Sequence, residues 1–149
     1  MAEDASVASQ TTYWKPYMDE STVRSLARWL GIGSIVFGVV PALAPRWSTR
    51  LFALPLAPEP AGAAVARSVG VRDAVIGMGL WSAAAHGGNF APWLLARALC
   101  DTGDAIALGL AIRAGARDPR LVALAGIAAG AAIGGWLLHH QARVRPALA

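Results

Sequence analysis

The sequence predicts an all-α fold: a four-transmembrane-helix bundle with a short interfacial amphipathic segment after the first helix. Three observations carry the prediction. Hydrophobic residues make up 56% of the 149-residue chain and charged residues only 15%, against about 25% charged in an ordinary soluble domain. Four apolar stretches of spanning length alternate with breaks built from Pro, Gly and charge. Two of those stretches lack the polar face that a helix of a soluble bundle needs: Trp29 to Leu43 is apolar but for Ser34, and no charged residue lies between Leu121 and Leu138.

Residues 1–22 form a polar, acidic N-terminal tail. It does not have the basic segment and short apolar run of a cleaved signal peptide. The first span covers about residues 23–43. Ser21 or Thr22 is placed to cap it, and Pro41 and Pro45 close it. Trp29 and Trp47 flank it as an aromatic belt would. Residues 46–56 bring Trp47, Leu51 and Leu54 near one helical face with Arg46 and Arg50 beside it, the pattern of an interfacial turn of helix. The run Ala57-Pro-Glu-Pro60 breaks the chain.

The second span covers about residues 61–85, and His86-Gly-Gly-Asn89 is the following turn. Pro92, suited to a first helical turn, opens the third span, about 92–114. Asp118-Pro119 precedes the fourth, about 120–138. The transmembrane domain therefore runs over residues 23–140, with a basic tail at 141–149. Gly126, Gly130 and Gly134 recur every four residues along one face of the fourth span, so a neighbouring backbone, internal or from another subunit, can approach closely there.

Six charged residues lie within the apolar spans: Arg67, Arg72, Asp73, Arg97, Asp101 and Asp104. A charge near the centre of a membrane helix costs roughly 2.5–3.5 kcal/mol on insertion scales, so such groups pair with each other or line a polar path. Spans two and three are joined by a short turn and are expected to be antiparallel neighbours. Asp73 lies 12 residues before Ala85, and Asp104 lies 12 residues after Pro92. At about 1.5 Å rise per residue, Arg72, Asp73 and Asp104 are level with one another near mid-membrane.

Arg97, Asp101 and Asp104 share one face at i, i+4, i+7, which allows Arg97 to pair with Asp101 along the helix. The simplest network joins Arg72 to Asp104 and Arg97 to Asp101, with Asp73 turned about 100° from Arg72 toward Arg97 or a backbone donor. Arg67, nearer the membrane edge, is placed to snorkel. Three charges of each sign make the expected network a neutral clasp.

Other chemistry is poorly represented. The pI near 10.2 suggests nucleic acid, yet the basic residues form no stripe and no aromatic stacking platform accompanies them. The single Cys100 lies in an apolar run and can form no disulfide within one chain. His86, His139 and His140 fall toward the same membrane face and are the imidazoles available to a metal or haem, without a recognisable ligand motif. Gly31 and Gly33 lack the strand–turn–helix setting of a nucleotide loop. No Ser/His/Asp arrangement, HExxH or Walker pattern occurs, so no catalytic residue and no cofactor are assigned.

Four spans place both termini on one side, with Lys15, Arg24, Arg28, Arg143 and Arg145; the other side carries Arg46, Arg50, Arg113, Arg117 and Arg120. With five basic residues against five, the positive-inside rule favours neither orientation. The absence of an export pattern in the tail favours cytoplasmic termini in a bacterial plasma (inner) membrane. The preference for Arg over Lys, with heavy use of Ala, Gly and Pro, matches a GC-rich bacterial genome.

Leu26-Ala-Arg-Trp-Leu-Gly31 with Gly38, the GxRDxxxG element within Arg67–Gly77, and the RxxxDxxD element Arg97–Asp104 together resemble a widespread family of small, uncharacterised bacterial four-helix membrane proteins. The resemblance spans roughly residues 24–138. It implies a four-helix bundle and a membrane address, with no assigned reaction. A looser similarity is to the DoxX-like four-helix membrane proteins, some of them tied to quinone or redox chemistry. The expected role is a non-enzymatic scaffold or accessory subunit in the lipid bilayer, as a homo-oligomer or in a larger membrane complex. The alternative is a small carrier that uses the Arg/Asp centre for an anion or a proton relay.

Overall fold

The computed structural model describes residues 18–51 and 60–144. Lys15, Leu54, Arg145 and most of the Ala57–Pro60 break lie outside them. Among the described residues the chain is all-helical, without strands: α1 Glu20–Leu43, α2 Pro45–Leu51, α3 Pro60–Ala85, α4 Ala91–Arg113 and α5 Pro119–Val144.

Helix ends follow local chemistry. α1 starts three residues before the expected position, and its cap is Asp19 rather than Ser21 or Thr22. The Asp19 carboxylate accepts from the Thr22 backbone N–H at 2.9 Å and the Thr22 hydroxyl at 2.6 Å, and also from the Ser21 hydroxyl. One acidic side chain thus satisfies a backbone donor left over at the helix start, and Ser21 and Thr22 become its donors. Proline stands at the first position of α2, α3 and α5, where its missing N–H costs nothing. α3 and α4 both end in a left-handed glycine, Gly87 (φ 75°) and Gly115 (φ 108°). The following N–H groups, of Gly88 and Ala116, bond back to Ala83 and Ala111, closing each helix as a Schellman turn. α5 continues six residues beyond the expected Leu138, because Leu138, His139 and Ala142 still face the interior.

The helices associate as two pairs. α1 packs chiefly on α3 and α4 chiefly on α5, and contact between the pairs is much sparser. The α1–α3 seam is built on glycine. A Cβ at Gly38 would meet the Ala74 nitrogen and the Gly70 oxygen at 2.5 Å, and one at Gly70 would meet the Gly38 oxygen at 2.5 Å. Gly31 and Gly77 repeat the arrangement one heptad away, with Gly31 against Gly77 and Trp81. Two antiparallel backbones therefore touch directly, a packing that small residues alone permit.

The four-residue glycine series on α5 is placed differently. A Cβ at Gly126, Gly130 or Gly134 would meet nothing within 4 Å, so no helix among the described residues covers that face. The α5–α4 contact runs instead through Gly135, against Ala98, and through Trp136, whose ring N–H donates to the Thr102 hydroxyl at 3.2 Å.

At the end of the bundle that holds the N-terminus of α1 and the C-terminus of α5, Val23, Ala27, Leu80, Ala84, Phe90 and Leu94 form an apolar cluster, with Met18, Leu138 and Ala142 against it. His139 Nδ1 donates to the Ala91 carbonyl at 2.9 Å, and Arg24 lies 5.0 Å over the Phe90 ring. This cluster closes the two helix pairs onto each other at that end. At the opposite end α2 lies across the opening. Its inward residues are Pro45 and Ser48, while Trp47 points outward. Arg120 on α5 donates to the Arg50 carbonyl at 3.0 Å, linking α5 to α2.

Large apolar side chains cover much of the exterior: Trp29, Val36 and Leu43 on α1, and Ile127, Ile133 and Leu137 on α5, are all about 60% exposed or more. Two helices, α1 and α5, are long and apolar enough to cross a membrane, with mean hydropathies of 1.7 and 2.0. The sequence leads one to expect four such helices. α3 and α4 each carry three of the charged residues, which removes them from that class by composition.

Candidate functional site

Five of the six charged residues in the apolar stretches converge between α3 and α4. Arg72 holds Asp104 through two parallel bonds, Nη2–Oδ2 at 2.7 Å and Nη1–Oδ1 at 3.2 Å. Such fork-to-fork pairing fixes orientation as well as distance. Arg72 also donates from Nε to Asp73 Oδ1 at 3.0 Å, and its Nη2 lies 2.9 Å from the same oxygen. Asp73 turns its other oxygen to Arg97 Nη1 at 3.4 Å. Arg97 in turn grips Asp101, one helical turn on, through Nε at 2.8 Å and Nη2 at 2.6 Å. The result is one chain of charges, Asp104–Arg72–Asp73–Arg97–Asp101.

The helix geometry explains this order. Asp73, Arg97 and Asp101 are buried because they face the partner helix over neighbouring turns. The spacing i, i+4 brings Arg97 and Asp101 together along α4, and Arg72 and Asp73, adjacent on α3, fan out to reach Asp104 and Arg97 respectively. Asp73 is the hinge of the network, since it alone touches both arginines. Arg72 and Asp104 lie at the rim, with about a third of each side chain exposed, 32% and 37%.

The expected balance of three against three does not hold within this cluster. Arg67 lies about a turn and a half away on α3, is exposed, and makes no ion pair among the described residues. It borders a separate groove with Arg46, Trp47 and Pro60. The network proper has three carboxylates and two guanidiniums, one negative charge in surplus when all are ionised.

A cavity of about 240 Å³ adjoins the network. Its walls come from all five helices, with Val65 and Val69 of α3, Leu108 of α4, Leu124 of α5, Pro41 of α1 and Ser48 of α2 among them. The charged residues that line it are Asp73 and Asp104; neither arginine of the network does. The cavity therefore lies in the cleft between the helix pairs, at the end where the apolar cluster is absent, with the carboxylate side of the network at its base.

The imidazoles do not converge. Among the described residues no three His, Cys, Asp or Glu are grouped so that they could hold a metal ion. His139 is committed to the Ala91 carbonyl, and His86 Nδ1 donates to the Ser82 carbonyl at 2.9 Å. Cys100 is a half-buried free thiol on α4. The glycine seam of α1 and α3 is not among the sequence-based expectations, although a signal for it is present: Gly31–Gly38 and Gly70–Gly77 share a seven-residue spacing. The cavity is not among them either, since it depends on the separation of the helix pairs. No family model, curated protein or solved structure matches the chain.

Proposed function

We propose that this chain is a multi-pass integral membrane protein of non-enzymatic role, a scaffold or accessory subunit, in which the Arg/Asp network clasps two helix pairs together at mid-membrane. The observation that carries the reading is the network's position. Its bonds cross from α3 to α4, where the two pairs otherwise meet sparsely. The lipid setting is supported by the outer surface. Only 28% and 22% of the most apolar windows of α1 and α5 are buried within the chain, whereas a soluble core helix of that hydropathy would be mostly buried. With α3 and α4 spanning alongside them, the five charges of the network meet each other and not the acyl chains.

The clasp is tested by changing the charge balance in the folded protein. Arg72→Leu leaves three carboxylates facing one guanidinium and removes a partner of buried Asp73; it is expected to cost about 1–3 kcal/mol, below a fully buried pair because the Arg72–Asp104 end lies at the rim. The double change Arg72→Leu with Asp104→Leu restores the original surplus of one carboxylate and recovers a large part of that loss. Unfolding of the detergent-solubilised protein in a denaturing-detergent titration measures both. Equal destabilisation of the single and double variants would contradict the clasp.

A second reading, ligand binding in the cleft, is favoured by the cavity at Asp73 and Asp104. An anion is not the ligand this geometry favours, because the network already carries one carboxylate more than it has guanidiniums and neither arginine lines the cavity.

A further inference from the structure

We infer that the cleft binds a lipophilic organic cation, an ammonium-type head on an apolar body, with its head against Asp104 and Asp73. The inference rests on the ligand-binding reading of the same cleft and adds its chemistry. Three observations converge. The charged residues lining the cavity are both carboxylates, while the arginines of the network lie outside its lining. The network carries one carboxylate more than it has guanidiniums, and a cation at its rim neutralises that surplus. Apart from the Ser48 hydroxyl, the remaining walls are hydrocarbon, among them Phe37, Val65, Val69, Leu108 and Leu124.

Those walls decide the class of cation. A metal ion requires a set of several oxygen or nitrogen ligands, and no group of three candidate ligand residues exists among the described residues. Ser48, the hydroxyl of the lining, already donates to the Pro45 carbonyl at 2.9 Å. An organic cation needs no such set: its charge is satisfied by one carboxylate at the rim and its body by apolar contact, the usual division of a small-molecule site. Asp104 is the accessible member, with 37% of its side chain exposed against 3% for Asp73.

Asp104→Asn provides the discriminating variant. It keeps the size of the side chain and an acceptor for Arg72, and it brings the network to two carboxylates and two guanidiniums. Ala107→Phe is independent of the network: Ala107 is exposed and lines the cavity, so a phenyl ring there fills the space without removing a buried partner.

The experiment uses the full chain in lipid nanodiscs, with calorimetric titration of three probes that share a benzyl body. Benzyltrimethylammonium is the cation, neopentylbenzene its neutral isostere, and phenylmethanesulfonate the anion. The expected result is saturable binding of the cation, at least tenfold tighter than of either other probe. Asp104→Asn weakens it at least tenfold and Ala107→Phe abolishes it, both variants retaining the wild-type helical circular dichroism. If Asp104→Asn does not fold, the order of the three probes on the wild type and the Ala107→Phe result decide. Equal binding of cation and isostere, or tighter binding of the sulfonate, overturns the cation assignment and leaves the cleft a site. Binding of none of the three overturns the ligand reading as well. Cation binding undiminished in a folded Asp104→Asn protein shows that the surplus charge is not what recognises it.

Discussion

Asp73 and Asp19 show how differently a carboxylate is used between packed helices and at an exposed helix end. Asp73 is buried and bridges two guanidiniums, so its charge is meaningful only with both partners present. Asp19 is exposed, and hydrogen bonds from Ser21, Thr22 and the Thr22 backbone hold its carboxyl well below the usual aspartate range. A carboxyl depressed in the folded state stabilises above its unfolded pKa and loses that contribution as pH falls through the folded value. The first turn of α1 is therefore expected to stay capped at neutral pH and to fray progressively as pH drops below about 4. Amide exchange at Thr22, referred to its intrinsic rate, measures this. Asp19→Asn, which caps without titrating, is expected to remove the pH dependence; a Thr22 amide whose protection is flat with pH in the wild type would contradict it. The pairs Arg72–Asp104 and Arg97–Asp101 were legible from depth and spacing, because helical periodicity converts sequence distance into position. The surplus charge was not, because Arg67 lies in the same apolar stretch and only the turn of α3 shows that it faces elsewhere.

Between elements, glycine decides which helices touch. Gly38→Ala places a methyl 2.5 Å from two backbone atoms of α3, and neither can move without shifting a helix. A loss of about 1–3 kcal/mol is expected, the range of an overpacked contact. Gly130→Ala meets open space and is expected to be neutral, or to gain up to about 1 kcal/mol from helix propensity. Thermal unfolding of the two variants side by side measures the contrast, and equal effects would mean that the α1–α3 seam is not the tight contact. Both glycine series are visible as spacings. Spacing alone does not say which is covered: the heptad-spaced pairs on α1 and α3 face each other, while the four-residue series on α5 faces outward. The interfacial segment is a similar case. The local pattern predicts an interfacial turn of helix at residues 46–56; the observed helix is Pro45–Leu51, and its inward face, Pro45 and Ser48, was set by where α1 and α3 leave room.

For the whole molecule, the two-pair architecture links stability, setting and site. One end is sealed by the cluster around Leu80 and Leu94, the middle is tied by the ion network, and the other end opens into the cavity beneath α2. An exterior this apolar fits the proposed lipid setting. The protein is expected to remain with the membrane fraction through an alkaline carbonate wash and to need detergent for release. Recovery in the soluble fraction without detergent would remove the membrane reading and, with it, the physical reason for confining the charges to the bundle interior.

Composition and periodicity by themselves determined that the chain is helical, where most helices begin and end, and which charged residues lie at one depth. These properties follow from local backbone chemistry and from the 3.6-residue repeat, both of which act over a few residues. The tertiary structure decided which glycine face is buried, that the helices pair as α1 with α3 and α4 with α5, that Arg67 is left out of the network, and that a carboxylate-floored cavity lies between the pairs. Each of these depends on the rotation of one helix about its axis relative to another. That rotation is settled by close packing among residues far apart in the chain, which no local pattern records.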